Sequence, residues 1–320
     1  MIQGTAAQTA HTDTTAPAHT GRRLKVALVS YDFGEYMIRM ANGLAQYADV
    51  KLFLADTQLE GREAMLNPAV PVHVLHWYRM RQPRQNLREM LSLRAALADF
   101  APDIVHIQKG GLYLNLLLPF IRRYTLVLTI HDVVHHPGDH ESRRVPESLI
   151  RWGNRQAVEL IAHTEAVKQL AVETQNLPED RIHVVPHVAL GVDGAANVQL
   201  DGPPAHKKVL FFGRIWAYKG LDYLIQAQPQ ISAAVPDAKI VIGGRGEDFA
   251  RYEALMQDPA AFEVHNRYIP DEERDRLFAE AAVVVLPYIE ASTSGVVPVA
   301  YGFGKPVIAT TVGGLPEMVP

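Results

Sequence analysis

Two stretches of the chain carry residue types suited to chemistry on phosphates and hydroxyls. The first is GRIWAYKG at 213–220, where Gly213 opens a loop holding Arg214 and Lys219. An apolar run precedes the loop and an amphipathic segment follows it. Both cations therefore stand beside a helix N-terminus, a combination that suits a pyrophosphate. A solvated turn with two ordinary surface charges fits the same spacing. The second stretch is PYIEASTSGVVPVAYGFGKPVIATTVGGLPE at 287–317. Glu290 lies just past an apolar run, where its carboxylate can accept hydrogen bonds from hydroxyls. Ser292, Thr293, Ser294 and Gly295 then form a small polar turn entering the apolar segment 296–303. Main-chain N–H groups around Ser294, Gly295 and Val296 would be open to an anion, although Ser and Thr before a helix also serve as plain N-caps. Gly313-Gly314 with Glu317 repeats the position of a loop after a strand, and Gly244 in GGRGED (243–248) joins the candidate ligand-binding glycines.

In the first half, apolar runs end in TIHD (129–132, with His131), HTE (163–165) and PH (186–187). Taken singly, each is more often a capping or packing residue; arriving together at strand ends, they point to a cleft. HDVVHHPGDH at 131–140 holds four histidines and two aspartates, which opens the reading of a metal-dependent hydrolase. Its spacing matches no HExxH pattern, and Pro137-Gly138 marks a turn, so a loop facing an acceptor is the other reading.

These residues need a scaffold that delivers loops to one edge. From Leu24 the chain alternates apolar runs with helical spacing: strands are expected at 24–31, 50–56, 70–77, 103–108, 125–132, 159–164 and 182–187. Helices are expected between most of them, at 35–48, 86–99, 112–123 and 144–157. After a Gly/Ala/Pro-rich passage the alternation restarts, with strands at 207–213, 238–244, 262–269, 282–288 and 306–312 and helices at 220–232 and 271–281. Continuous apolar strands separated by helices mean parallel sheets buried on both faces. The expected class is α/β, with two tandem Rossmann-like units: a disordered tail at 1–22, a first domain at 23–190, a linker at 191–206 and a second domain at 207–320.

Composition narrows the function classes. The 320 residues carry 31 Lys+Arg against 35 Asp+Glu, a balance unlike that of a general nucleic-acid binder. No cysteine means no disulfide scaffold, Cys-ligated zinc or thiol nucleophile. No apolar run reaches the roughly 18–20 residues of a spanning helix, and the N-terminus lacks the apolar core of a secretory signal. A cytoplasmic protein is the expectation. Residues 79–94 hold five arginines (79, 81, 84, 88 and 94) against the single acid Glu89. That stretch suits anionic lipid headgroups or an anionic acceptor, and equally a solvated helix face.

The pattern GR-x4-KG, followed about 70 residues later by an acidic Ser-Gly loop and by GKPVIATTVGGLPE, resembles the GT4 glycosyltransferases of the GT-B fold. The resemblance implies a nucleotide-sugar donor, UDP- or GDP-linked, held mainly by the second domain, and a sugar or lipid-linked acceptor held by the first. It further implies transfer with retention, no metal or other cofactor, and a place in cell-envelope glycolipid or polysaccharide synthesis, at the membrane's inner face if residues 79–94 touch lipid. By position, Arg214 and Lys219 resemble the diphosphate-binding pair, and His131 the histidine facing the transferred sugar. Glu290 takes the place of a sugar-hydroxyl ligand, with main-chain contacts from Ser294, Gly295 and Val296. Two departures stand out. The family's second glutamate, eight residues on, is Pro298 here, and the glycine-rich loop after the first strand is reduced to YDFGEY (31–36) with Gly34 alone. The first departure leaves room for a relative that binds the sugar nucleotide without turnover. The family also continues for several tens of residues past GGLPE, so the second domain reads as incomplete at Pro320. GGRGED lacks the spacing of a GxGxxG dinucleotide fingerprint, which argues against an NAD enzyme.

Overall fold

The computed structural model describes residues 22–135, 145–198 and 207–320. The tail expected at 1–22 falls outside this range except for Arg22, as do residues 136–140 of the histidine-rich stretch and half of the expected linker, 199–206. Seven parallel strands form the first sheet: β1 (Lys25–Ser30), β2 (Asp49–Ala55), β3 (Val72–Leu75), β4 (Ile104–Ile107), β5 (Thr125–Ile130), β6 (Glu159–Ala162) and β7 (Ile182–Val184). Five more form the second: β8 (Lys208–Phe212), β9 (Lys239–Gly244), β10 (Phe262–Asn266), β11 (Val283–Leu286) and β12 (Val307–Ala309). Their orders are β3-β2-β1-β4-β5-β6-β7 and β10-β9-β8-β11-β12. The expected seven and five strands are thus all present. Most strands are shorter than their apolar runs, chiefly because residues at the carboxyl ends leave the ladder for loops. The run at 125–132, for example, stops pairing at Ile130 and frees His131 and Asp132.

The helices of the first half are α1 (Gly34–Leu44), α2 (Asp56–Leu59), α3 (Pro83–Phe100), α4 (Leu112–Leu117), α5 (Glu147–Asn154) and α6 (Glu165–Gln175). Beyond them come α7 (Val192–Asn197), α8 (Leu221–Ala234), α9 (Ala250–Glu253), α10 (Asp271–Glu280), α11 (Val296–Gly302) and α12 (Leu315–Met318). They cover both faces of the first sheet, and Ala27, Leu28, Leu52 and Phe53 between them are fully buried. Such strands need apolar side chains pointing both ways, which is why the runs do not alternate. Helix α3 begins three residues before the expected 86, because Pro83 is well placed at a first turn whose N–H has no partner in any case. The helix expected over 112–123 breaks into α4 and a 3-10 turn at Leu118–Ile121, where Pro119 has no N–H to donate. The passage expected as plain linker contains α7, which packs on α10 and α11.

In each sheet the strand order reverses once, between β1 and β4 and between β8 and β11. Loops at the carboxyl ends of these strand pairs diverge and leave a crevice, the usual ligand position in open α/β sheets. Two carboxylates tie the units together. Glu35, on α1, binds Arg39 at 2.9 Å, Arg274 of α10 at 3.1 Å and the Gly191 N–H at 2.7 Å. Burial alone would raise its pKa, but the Gly191 N–H and the two guanidiniums bring it below the usual value. Arg62 adds a bond to Asp271 at 2.7 Å. Glu317, on α12, accepts from the backbone N–H of Glu165 and Ala166 at 2.6 and 2.8 Å. It thereby caps the α6 N-terminus, where a negative charge meets unpaired donors.

Candidate active site

The donor-side loops are held by backbone contacts that only glycine permits. Gly213 donates to the Gly243 carbonyl at 2.9 Å, and a Cβ on Gly244, at φ 148°, would collide with the Gly213 carbonyl oxygen. Gly220, at φ 63°, lies so close to the Pro287 carbonyl oxygen that a side chain there would clash. The first approach holds the start of the loop 213–220 against the end of β9; the second holds its far end against the loop after β11, where the Ile289 N–H bonds the Tyr218 carbonyl at 2.8 Å.

Arg214 donates to the Tyr218 hydroxyl at 3.4 Å. The Lys219 ammonium stands 3.7 Å over the Tyr288 ring and 4.9 Å from the Tyr218 ring centroid, a cation–π seat. The Tyr288 hydroxyl meets Ser294 Oγ at 3.1 Å, and Ser294 Oγ accepts from the Val296 N–H at 3.3 Å. Arg214, Lys219 and Ser294 are therefore one connected group, with Val296 packed against Gly213 at its edge. Glu290 follows half-buried in the same loop. Ser294 serves partly as a cap, so the Val296 N–H expected to be open is already engaged. Burial pulls Lys219 down to about 8, and the nearby Arg214 charge adds to the fall, while Tyr218 and Asp132 oppose it. Burial likewise pushes the Tyr288 phenol up to about 12, keeping it uncharged beneath the ammonium.

Across the crevice, His131 is stacked on Phe33 with ring centroids 4.4 Å apart. Phe33 occupies the left-handed region at φ 62°, in the loop that family members fill with glycine, at a typical cost of about 1 kcal/mol. Gln108 Nε2 lies 2.9 Å from His131 Nε2. An amide N–H there requires an accepting ring nitrogen, which places the imidazole proton on Nδ1. His163 and His187 lie next to it, with centroid separations of 5.3 Å (His131–His163) and 5.0 Å (His163–His187). His106 bonds Thr129 Oγ1 at 2.8 Å on the neighbouring strand. Burial lowers all four imidazoles, His106 and His187 to about 4, so these rings are neutral near pH 7. His163 turns its Nδ1 toward the Val185 carbonyl at 2.8 Å.

A cavity of about 790 Å³ contains His131, Asp132 and Arg214 in its lining and so joins the two faces. Sequence patterns left several of its supports unread: Tyr218 and Tyr288 under Lys219, Phe33 and Gln108 around His131, and Asp132, whose charge reaches Lys219 from the other unit. Of the stretch 131–140, His136, Asp139 and His140 lie outside the described residues. His135 turns its ring to the Val145 carbonyl at 3.0 Å. Among the described residues, no group of three His, Asp or Glu side chains is placed to hold a metal ion.

Two family models match this architecture unit by unit: a glycosyl transferase 4-like domain over residues 34–187 and glycosyl transferases group 1 over 206–320. The chain belongs to the GT4 glycosyltransferases of the GT-B fold. Among curated relatives of this GT4 chain, the D-inositol 3-phosphate glycosyltransferase of Mycolicibacterium gilvum is 33% identical over 192 residues, covering 54% of this chain and 42% of that protein. The enzyme of the same name from Nocardioides is 30% identical over 267 residues, 72% of this chain and 57% of the relative. The chain thus spans about half the length of the curated relatives it matches. Solved structures share the fold at low identity. Sucrose-phosphate synthase from Thermosynechococcus elongatus superposes with a TM-score of 0.66 at 18% identity, covering 92% of this chain and 82% of that one. HepE from Anabaena, in complex with UDP and glucose, gives 0.62 at 18%, covering 93% and 83%.

The arginine-rich segment of this GT4 chain forms the start of α3 and the loop before it. Its inner face buries Asn86, Glu89, Met90, Leu93 and Leu97, and Glu89 accepts from the His76 N–H at 2.9 Å. Arg84, Leu87, Arg88, Leu91 and Arg94 recur at helical spacing on the exposed face. No described helix is long and apolar enough to cross a membrane.

Proposed function

We propose that the chain transfers a sugar from a nucleoside-diphosphate sugar to an acceptor hydroxyl. The reading is carried by the shared cavity, in which a cationic loop of one unit faces a neutral imidazole of the other. Arg214 and Lys219 stabilise the negative charge that grows on the leaving diphosphate as the glycosidic bond to phosphate breaks, electrostatic work that needs no metal. Glu290 and the Ser294-Gly295 turn position the donor sugar. His131, neutral and fixed by Gln108 and Phe33, offers its Nδ1–H to a hydroxyl or ring oxygen of that sugar. Retention at the anomeric carbon is carried over from the family. UDP- or GDP-sugars are the donors to try, and D-inositol 3-phosphate, named for the relatives, is the charged acceptor to screen against uncharged ones.

The exposed α3 face, with Leu87 and Leu91 between arginines and Trp77 and Met80 beside them, supports peripheral contact with anionic lipid at the cytoplasmic side. A lipid-linked acceptor and a role in envelope glycolipid or polysaccharide synthesis fit that contact. Mass-spectrometric screening of UDP-, GDP- and ADP-sugars, with and without acceptors, tests the reading. Release of the nucleoside diphosphate from at least one donor is expected. Failure of every donor, together with no binding of UDP, GDP or ADP, would refute it.

A further inference from the structure

The lining of the cavity includes a buried polar group that has no partner among the described residues. Asn115, on α4, lines the cavity at 2% exposure. Its Nδ2 donates to the Leu149 carbonyl at 3.1 Å, which settles the orientation of the carboxamide, since a carbonyl needs a donor. Oδ1 is then the free end, and among the described residues it has no hydrogen-bond partner. Gly110 and Gly153 flank the amide so closely that a side chain at either would strike it, so the group is held in place. A second orphan lies in the same lining: the Tyr31 hydroxyl has no partner among the described residues either, and burial raises its pKa so that it remains a phenol. Tyr31 meets Trp77 edge to face at 5.6 Å, and Met90 and Ile150 add apolar surface.

An unpaired carbonyl oxygen repels a phosphate or carboxylate and calls for an O–H or N–H donor. The Tyr31 phenol in the same lining can give or accept. Aromatic walls favour the C–H faces of a ring or an apolar substituent. We propose that Asn115 and Tyr31 form the acceptor subsite of this enzyme and select an uncharged, hydroxyl-bearing ring attached to an apolar group. The proposal rests on the glycosyltransferase reading above and names the acceptor class for it. Leaving a buried carbonyl unpaired is costly, and that cost is relieved only by a ligand that donates to it.

Titration of octyl and 4-nitrophenyl hexosides, and of the matching hexose 1-phosphates, into the full chain tests the proposal, with saturation-transfer NMR as readout. The uncharged glycosides should bind the wild type at least tenfold more tightly than the sugar phosphates. Asn115→Leu should lower that affinity about tenfold, as expected for one lost hydrogen bond to a buried group. Because Asn115 is tightly packed, Tyr31→Phe provides a second variant: its hydroxyl bonds nothing in the protein, so folding should survive while glycoside affinity falls several-fold. UDP affinity, read in parallel, should be unchanged in both. Preference for the phosphates, no glycoside binding by the wild type, or unchanged affinity in both variants would overturn the subsite. Loss of UDP binding by the wild type would instead count against the donor reading and leave the glycoside result to stand by itself.

Discussion

The two faces of the crevice solve opposite electrostatic problems. In the second unit, Arg214 and Lys219 are kept cationic beside each other, with two tyrosine rings under the ammonium and a neighbouring unit's carboxylate in range. In the first unit, four imidazoles packed within ring contact or on adjacent strands are all held neutral by burial. Under the proposed function, one face serves an anion that leaves and the other the hydroxyls that stay. The same crevice can therefore bind a charged donor and an uncharged reacting group without either face competing for the other's ligand.

Removing charge from the cationic face should have the largest effect. Arg214→Ala or Lys219→Ala should lower the transfer rate by roughly 10²–10³-fold, the usual scale for losing one group that stabilises developing negative charge. The measurement is initial velocity at saturating donor, and wild-type rates in both variants would remove the donor site assigned here. On the neutral face, His131→Ala should cost about 10–100-fold in rate with a smaller change in donor affinity. Equal losses in rate and affinity would turn His131 into a binding residue.

The neutral face also makes stability depend on pH. Folded-state pKa values near 4 for His106 and His187 lie below the unfolded value of 6.5. The unfolded chain therefore binds more protons between those limits, and stability is complete above about 6.5 and lost as pH falls toward 4. His106 alone contributes on the order of 3 kcal/mol. Thermal midpoints should fall steadily across this window. His106→Gln should flatten the fall, whereas a midpoint insensitive to pH would mean the imidazoles titrate in the fold as they do in the unfolded chain. A smaller effect is expected at the bridge between the units. Glu317→Gln removes the charge from the α6 cap, worth roughly 0.3–1 kcal/mol, and should change transfer rates only a few-fold. A loss as large as that of Arg214→Ala would show that the bridge, and not the charge contrast, governs catalysis.

Local features were readable from the sequence because their causes are local. Buried parallel strands write themselves as unbroken apolar runs such as KVALVS, and the loop GRIWAYKG announces its place by what precedes and follows it. His131 could be found because a strand end in TIHD delivers it to the sheet edge. What stayed hidden depends on partners far along the chain. Glu35 and Arg274 are 239 residues apart, and Glu317 and Glu165 are 152 apart, so no window contains either pair. The α7 turn inside a Gly/Ala-rich passage is set by packing on α10 and α11, which composition cannot report. Asn115 reads as one polar residue in an apolar helix, and its open carbonyl is visible only once Leu149 claims the other end of the amide. The carboxyl-end residues 129–132 showed a histidine and an aspartate side by side, yet that Asp132 faces Lys219 follows only from the way the units meet.

The charge contrast across the crevice is tested most directly by calorimetry of UDP binding in buffers of different ionisation enthalpy at pH 8. Lys219 sits near pKa 8 when the site is unliganded, so about half of it must take up a proton when a diphosphate arrives. The account predicts UDP binding with uptake of roughly half a proton per site, abolished in Lys219→Arg, and an affinity that weakens above pH 8 in the wild type alone. UDP binding with no proton uptake, or with the same uptake in Lys219→Arg, would contradict it.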